Sequence, residues 1–206
     1  QVFAREGATV ACIDLHQDRA QETADIIRGE GNKALALGAD ITTEASIKAA
    51  VEAVAAECGR IDVLHNNVGV SIAGGDKPLE DLTEEDFDRC NSINLRGMIM
   101  TCKHVIPVMR KQQSGSIVNI SSIWGMTGHD SDSQYCGAKA ALLGLTKAWA
   151  KEFAPWNIRV NAVAPGCVLT DMTIIKGQDY IDDRAKLIPM GRWAQPEEMC
   201  HAVVYL

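Results

Sequence analysis

Tyr135 and Lys139 stand four residues apart in the stretch SQYCGAKAALLGLTK (133–147). The alanines, leucines and glycines around them read as a helix, where positions i and i+4 share a face. An ammonium beside a phenol favours the phenolate and lowers its pKa from an ordinary value of about 10. A tyrosine tuned in this way gives a proton to a developing alkoxide, or takes one from an alcohol, near neutral pH. Taken alone, Tyr-x-x-x-Lys recurs by chance and marks a surface pair more often than a site.

The other candidates close short apolar runs. Asp14 ends ATVACID (8–14). An acid there accepts hydrogen bonds from an adenosine ribose and repels a 2′-phosphate, which favours NAD over NADP, but it serves equally well as a helix cap. Asp40 ends KALALGAD (33–40) and is either a cap or a contact to adenine. In HNNVG (65–69), Asn66 and Asn67 can satisfy backbone groups between strands, and Gly69 lets a ligand come close to the chain. NISS ends in Ser121 and Ser122, and serine at a strand tip is more often a turn residue than a catalyst. APGCVLT (164–170) is a loop fixed by Pro165 and loosened by Gly166, with a backbone able to lie against a planar ring.

These residues need a scaffold that gathers strand ends. The spacing predicts strands over 8–14, 33–40, 61–67, 115–121 and 157–165. Helices are predicted over 17–31, 43–59, 82–111 and 134–153, with a last one opening at Pro196. Gly31 and Gly59 act as stops, and Thr83 with Asp86 as a cap. A polar, glycine-containing loop follows the third strand, and 167–190 has the mixed character of a lid over a substrate. Alternating strands and helices call for a single α/β domain over 1–206. Its doubly wound parallel sheet carries helices on both faces, Rossmann-like, with ligands beyond the carboxyl ends of the strands.

Composition narrows the partners. The 206 residues suit one domain, and no segment is long and apolar enough to cross a bilayer. A net charge of −7 argues against nucleic acid or an anionic membrane as main partner. The first residues lack a signal-peptide pattern and an initiator methionine. Seven irregularly spaced cysteines without C-x-x-C read as reduced, mostly buried thiols in a cytoplasmic protein; neither Cys136 nor Cys167 has a supporting motif. The histidines are scattered without ligand spacing, so no metal site is expected.

In register, these segments resemble the short-chain dehydrogenase/reductase family of NAD(P)-dependent oxidoreductases. YCGAK matches its Tyr-x-x-x-Lys, and Ser122 lies thirteen residues earlier, the family's place for a catalytic serine. NSINLRG offers Asn94 for the family's helix asparagine. NNVG departs from N-N-A-G only at Val68. APG followed by VLT matches the nicotinamide loop, and GRWAQPEE (191–198) the C-terminal part.

The resemblance implies hydride transfer between a nicotinamide cofactor and a carbonyl or alcohol carbon. Tyr135 would be proton donor and acceptor, Ser122 would polarise the carbonyl, and Lys139 would tune the phenol and bond the nicotinamide ribose. Asn94 would hold a relay water. Asp14 would take the adenosine ribose, Asp40 the adenine, Asn67 and Gly69 the adenosine half, and Pro165, Gly166, Val168 and Thr170 the nicotinamide end. Trp124, Met126, His129 and Met172 can line the pocket. Substrates like those of 3-oxoacyl reductases or of alcohol and sugar dehydrogenases are implied. So is a homodimer or homotetramer built through 84–111 and 134–153, with Trp149 and Phe153 as anchors. A non-catalytic nucleotide-binding scaffold is the alternative.

The family's first strand and its T-G-x-x-x-G-x-G turn are not among these residues, nor is its final strand. QVFAREGATV reads as the tail of the first helix. A sheet short of its central strand has two unpaired edges, so these residues by themselves are not expected to bind cofactor stably, whereas a longer parent chain is expected to be active.

Overall fold

The computed structural model describes residues 1–70 and 77–206. The loop expected after the third strand lies partly outside them, at 71–76. In chain order the elements are α1 (Val2–Arg5), β1 (Val10–Asp14), α2 (Gln17–Gly29), β2 (Ala34–Gly38), α3 (Glu44–Cys58) and β3 (Val63–Asn66). Then come α4 (Glu84–Asn91), a π-helical segment (Ser92–Gly97), α5 (Met98–Gln112), β4 (Gly115–Ile120), α6 (Trp124–Thr127) and α7 (Ser133–Phe153). The chain continues through β5 (Ile158–Val163), α8 (Asp171–Ile174), α9 (Gln178–Ala185) and α10 (Pro196–Tyr205).

The local signals act as the chemistry of caps requires. Gly59 ends α3 in the left-handed region at φ 72°, which glycine adopts without a side-chain clash. Thr83 Oγ1 accepts from the Asp86 N–H at 3.1 Å and opens α4. Pro196 takes the first position of α10, where its missing N–H costs nothing.

All strand pairs are parallel. β1 pairs with β2 from Val10↔Ala34 to Asp14↔Gly38, and β4 pairs with both β3 and β5. The carboxyl ends of paired strands therefore share one side. Among the described residues β1 is laddered only to β2 and β3 only to β4. Each keeps an edge without a strand partner, as expected of a sheet short of its central strand. Other contacts bridge the two sets. Ile47 and Val51 of α3 share a core with Cys102, Val105 and Met109 of α5. Glu44 accepts from Lys103 at 2.6 Å, and the Arg96 guanidinium donates to the Thr42 carbonyl at 2.9 Å.

The middle strand β4 is covered on both faces: Ile117 and Val118 are fully buried. One polar thread runs through this core. Asn66 Nδ2 donates to Asn119 Oδ1 at 3.0 Å, Asn119 Nδ2 donates to Thr146 Oγ1 at 2.9 Å, and Thr146 donates to the Leu142 carbonyl at 2.7 Å. These buried polar groups pair with one another, so the thread sets the register of β3, β4 and α7 and its hydrogen bonds offset the desolvation. Asn66 is therefore the asparagine that joins strands; its neighbour Asn67 is exposed.

Three expectations need correcting. The helix expected over 82–111 is not uniform: it widens into a π-helical turn at Ser92–Gly97. The extra residue rolls Asn94 inward, where it is fully buried and bonds other chain segments. The thiols are less hidden than expected: Cys90 and Cys102 are buried and the other five half-buried. Phe153 is spent inside the subunit, in the core with Ile158 and Val160, so it is no free anchor for a second copy.

Candidate active site

The carboxyl ends of β3, β4 and β5 are tied to one another and to α7 by short hydrogen bonds. Asn94 Oδ1 accepts from the Val70 N–H at 3.1 Å while its Nδ2 donates to the Val70 carbonyl at 2.9 Å. This reciprocal pair clamps the loop after β3 to the π-helical turn. Lys139 Nζ donates to the Ile120 carbonyl at 2.8 Å, and Ser121 Oγ donates to the Lys139 carbonyl at 2.7 Å. Those bonds fix the end of β4 on α7. The Ile123 N–H donates to the Pro165 carbonyl at 2.9 Å, bringing the loop after β5 alongside Ser122.

Gly125 makes this closeness possible. A Cβ there would stand 2.7 Å from the Lys139 carbonyl carbon and 2.9 Å from the Ala140 nitrogen, both backbone. Neither can swing away. Gly125→Ala is expected to cost about 1–3 kcal/mol in urea unfolding. By prying Ser122 from Tyr135 it should lower turnover more than cofactor affinity; urea titration beside steady-state kinetics checks both.

Tyr135, Ser122, Lys139 and Asn94 therefore converge. The Ser122 hydroxyl lies close enough to the Tyr135 phenol to favour its ionised form. Lys139 Nζ lies 5.6 Å from the Tyr135 ring centroid. A Cβ on Gly69 would fall 2.8 Å from Asn94 Oδ1 and 3.5 Å from Lys139 Nζ, so glycine is what lets the loop after β3 rest on both.

The electrostatics differ from the expectation drawn from spacing alone. Burial pushes the Tyr135 phenol up, with the Asp132 carboxylate adding to the rise and the Ser122 hydroxyl pulling against it. Burial also pulls the Lys139 ammonium from 10.5 down to about 8. The amine spends its hydrogen bond on the Ile120 carbonyl, so in this arrangement desolvation outweighs the attraction between ammonium and phenolate.

The cofactor-side candidates separate. Asp14 sits half-buried at the end of β1, and Oδ1 accepts from the His16 N–H at 2.9 Å. Among the described residues no cation pairs with it. Asp40 is built in as a cap: Oδ1 accepts from Thr42 N–H and hydroxyl at 2.8 and 2.7 Å, bonds that hold its carboxyl below the usual range. Asn67 is exposed at the end of β3. Val168 bridges to Ala194, and Thr170 opens α8. Pro165 and Gly166 lie between β5 and that bridge.

Sequence reasoning missed two contributors. Asp132 is 1% exposed and three residues before Tyr135, where an acid reads as an ordinary cap. Trp193 is buried and its indole N–H donates to the Ile181 carbonyl at 2.8 Å, mooring α9. The GRWAQPEE stretch contained it, but nothing in its spacing says that the indole reaches α9.

Known proteins resemble this chain in sequence and fold. The family model described as enoyl-(acyl carrier protein) reductase matches residues 1–206. The chain is 39% identical over 205 residues to a 3-oxoacyl-[acyl-carrier-protein] reductase of Thermotoga maritima, covering 100% of this chain and 82% of that protein. It is 40% identical over 211 residues to a cyclopentanol dehydrogenase of Comamonas sp., with the same coverages. A short-chain type dehydrogenase/reductase from Mycobacterium marinum superposes with a TM-score of 0.93 at 34% identity, covering 99% of this chain and 80% of that one. The chain belongs to the short-chain dehydrogenase/reductase family. Membership makes it an NAD(P)-dependent oxidoreductase of alcohol and carbonyl groups. A crystal structure of NAD+-bound xylitol dehydrogenase also superposes, with a TM-score of 0.92 at 29% identity, over 98% of this chain and 84% of that one. Among the described residues, no helix of this family member is long and apolar enough to cross a membrane.

Proposed function

We propose that this protein interconverts a secondary alcohol and a ketone on a small substrate, with Tyr135 moving the proton and NAD as the preferred cofactor. The observation that carries the reading is the meeting of Tyr135, Ser122, Lys139 and Asn94 from three separate elements around one strand-end cleft. The donor set suits a nicotinamide dinucleotide: a half-buried acid at Asp14 with no cation paired to it among the described residues, and an amine at Lys139 beside bare backbone at Gly69. When bound, that cofactor supplies or accepts the hydride.

The protein's own groups do the rest. Ser122 donates a hydrogen bond to the substrate oxygen and holds it beside the phenol. Tyr135, its pKa raised by burial, is protonated at neutral pH and gives its proton as negative charge develops on that oxygen. Lys139 would bond the nicotinamide ribose and would bring positive charge to the phenolate left behind. Asn94 holds the neighbouring backbone and a water that reconnects Lys139 to solvent. Asn67 and Gly69 would hold the adenosine half, Asp40 the adenine, and Pro165, Gly166, Val168 and Thr170 the carboxamide end. Met126 and Met172 are 68% and 40% exposed and would offer apolar surface to the substrate's carbon skeleton.

The test is a panel of ketones, oxo acids, sugars and cyclic alcohols with NADH, NADPH and their oxidised forms, read by nicotinamide absorbance. Absence of turnover across the panel with cofactor binding intact would overturn the reading in favour of a non-catalytic binding protein. Asp14 makes the cofactor preference testable. Asp14→Ser is expected to lower kcat/KM with NAD about 10–100-fold, the weight of a hydrogen bond to a charged group, and to raise it with NADP. A cytoplasmic, reducing setting fits seven cysteines with no disulfide among the described residues. A homodimer or homotetramer through α4, α5 and α7 fits the resemblance.

A further inference from the structure

Helix α9 carries a guanidinium to this cleft that none of the steps above uses. Arg184 Nη2 lies 2.7 Å from His129 Nε2. The His129 ring stacks on Trp124 with centroids 3.9 Å apart, and Trp124 meets Tyr135 edge-on at 6.1 Å. One chain of contacts thus runs from Arg184 to the catalytic phenol. The Arg184 charge also reaches the Cys167 thiol, in the loop after β5. Arg184 stands between the two segments proposed to frame the substrate.

Arg184 is half-buried, with its guanidinium 5.5 Å over the Tyr180 ring, which Lys176 approaches from 5.0 Å. Among the described residues no carboxylate forms an ion pair with Arg184. On its own helix Asp182 and Asp183 are exposed, and Asp183 is bonded to Lys186 at 2.7 Å. Asp130 comes within 3.7 Å of His129 Nε2, but its side chain is 94% exposed. A guanidinium only donates, so His129 Nε2 accepts and the ring proton sits on Nδ1. That Nδ1 is buried without a hydrogen-bond partner among the described residues, and the His129 side chain is 9% exposed. A partly desolvated cation and an unused buried N–H together call for an acceptor carrying negative charge.

We propose that Arg184, positioned by His129, is a specificity-determining residue that receives a carboxylate on the substrate, so that oxo acids and the matching hydroxy acids are the preferred substrates. The proposal rests on the oxidoreductase reading of the Tyr135 site. Trp124 supplies a flat apolar wall between the two ends of such a substrate.

The experiment compares 2-oxobutanoate, 3-oxobutanoate and 4-oxopentanoate, each beside its methyl ester, in wild type, Arg184→Gln and Arg184→Lys. At least one acid should exceed its ester in kcat/KM by about tenfold or more in the wild type. Arg184→Gln should erase that preference, chiefly by raising KM for the acid, and leave the ester within about threefold. Arg184→Lys should keep part of it, since the charge remains and the fork does not. The proposal is overturned if no acid is preferred in the wild type, or if acid and ester fall together in Arg184→Gln, which would make Arg184 a clasp for α9. Pentanoate, which cannot be reduced at a ketone, separates this failure from failure of the catalytic reading. Calorimetric binding of pentanoate to the wild type that vanishes in Arg184→Gln upholds the anion site even if nothing on the panel turns over; no binding in either overturns it.

Discussion

Tyr135→Phe is expected to lower turnover by about a thousandfold or more while changing cofactor affinity by less than about threefold. The substitution removes one oxygen and keeps the ring, so the edge-on contact with Trp124 and the local packing persist. What disappears is the proton that burial keeps on the phenol and that Ser122 loosens. A raised phenol pKa also sets the direction of the pH response. Carbonyl reduction uses the protonated phenol, so its rate should hold through neutral pH and fall as the solution turns alkaline. Alcohol oxidation needs the proton gone, so its rate should climb over the same range. Steady-state rates in both directions, with fluorescence titration of NADH, decide the matter. A phenylalanine enzyme with more than about a tenth of wild-type turnover would remove Tyr135 from the chemistry.

Lys139→Met is expected to move activity and stability in opposite directions. Lys139 is 3% exposed, and burial lowers its pKa from 10.5 to about 8. At neutral pH the folded protein therefore carries a buried charge that the unfolded chain would hydrate. A depression of this size corresponds to about 3 kcal/mol, offset by about 1–2 kcal/mol for the bond to the Ile120 carbonyl that methionine cannot make. Net stabilisation of about 1–2 kcal/mol is expected for the methionine protein at pH 7. The sign with pH follows from proton counting. Between about 8 and 10.5 the unfolded chain binds more protons at this position than the folded one, so wild-type stability gains as pH rises through that window. The methionine protein lacks that gain, and the difference between the two should shrink or reverse toward pH 10. Turnover should fall by about a hundredfold or more throughout, because nothing then supports the phenolate. Urea unfolding of both proteins at pH 7 and pH 10, alongside kinetics, checks each part. A methionine protein less stable than wild type at pH 7 would mean that Lys139 holds the site together and is not a strained catalytic group.

The two predictions share a physical origin. The site is built by burying polar groups at strand ends, and burial raises the cost of charge on the phenol and on the amine alike. Each neutral form is favoured by the cleft, so either ionisation is paid for by its surroundings. Stability lost in this way is a common feature of catalytic sites, and it gives Lys139 its expected signature.

Much of this was legible in the residues before any coordinates. The alternation of apolar runs with amphipathic segments, stopped by Gly31 and Gly59 and capped at Thr83 and Pro196, determined a parallel α/β sheet. Those signals are local: periodicity, turn chemistry and capping act within a few residues of each other. The set Asn94, Ser122, Tyr135 and Lys139 was legible through the family resemblance; only Ser122 and Tyr135 sit near element ends that the local signals mark. Tertiary structure alone decided how they meet. The π-helical turn that rolls Asn94 inward depends on the Val70 loop it clamps, twenty-four residues away. The choice of Asn66 over Asn67 as the inter-strand link depends on which one faces Asn119. The upward push on Tyr135 and the downward pull on Lys139 come from desolvation, a property of everything packed around them; spacing on a helix carries only their mutual attraction. The approach of Arg184 to His129 joins residues fifty-five apart through two loops, and no local pattern encodes it.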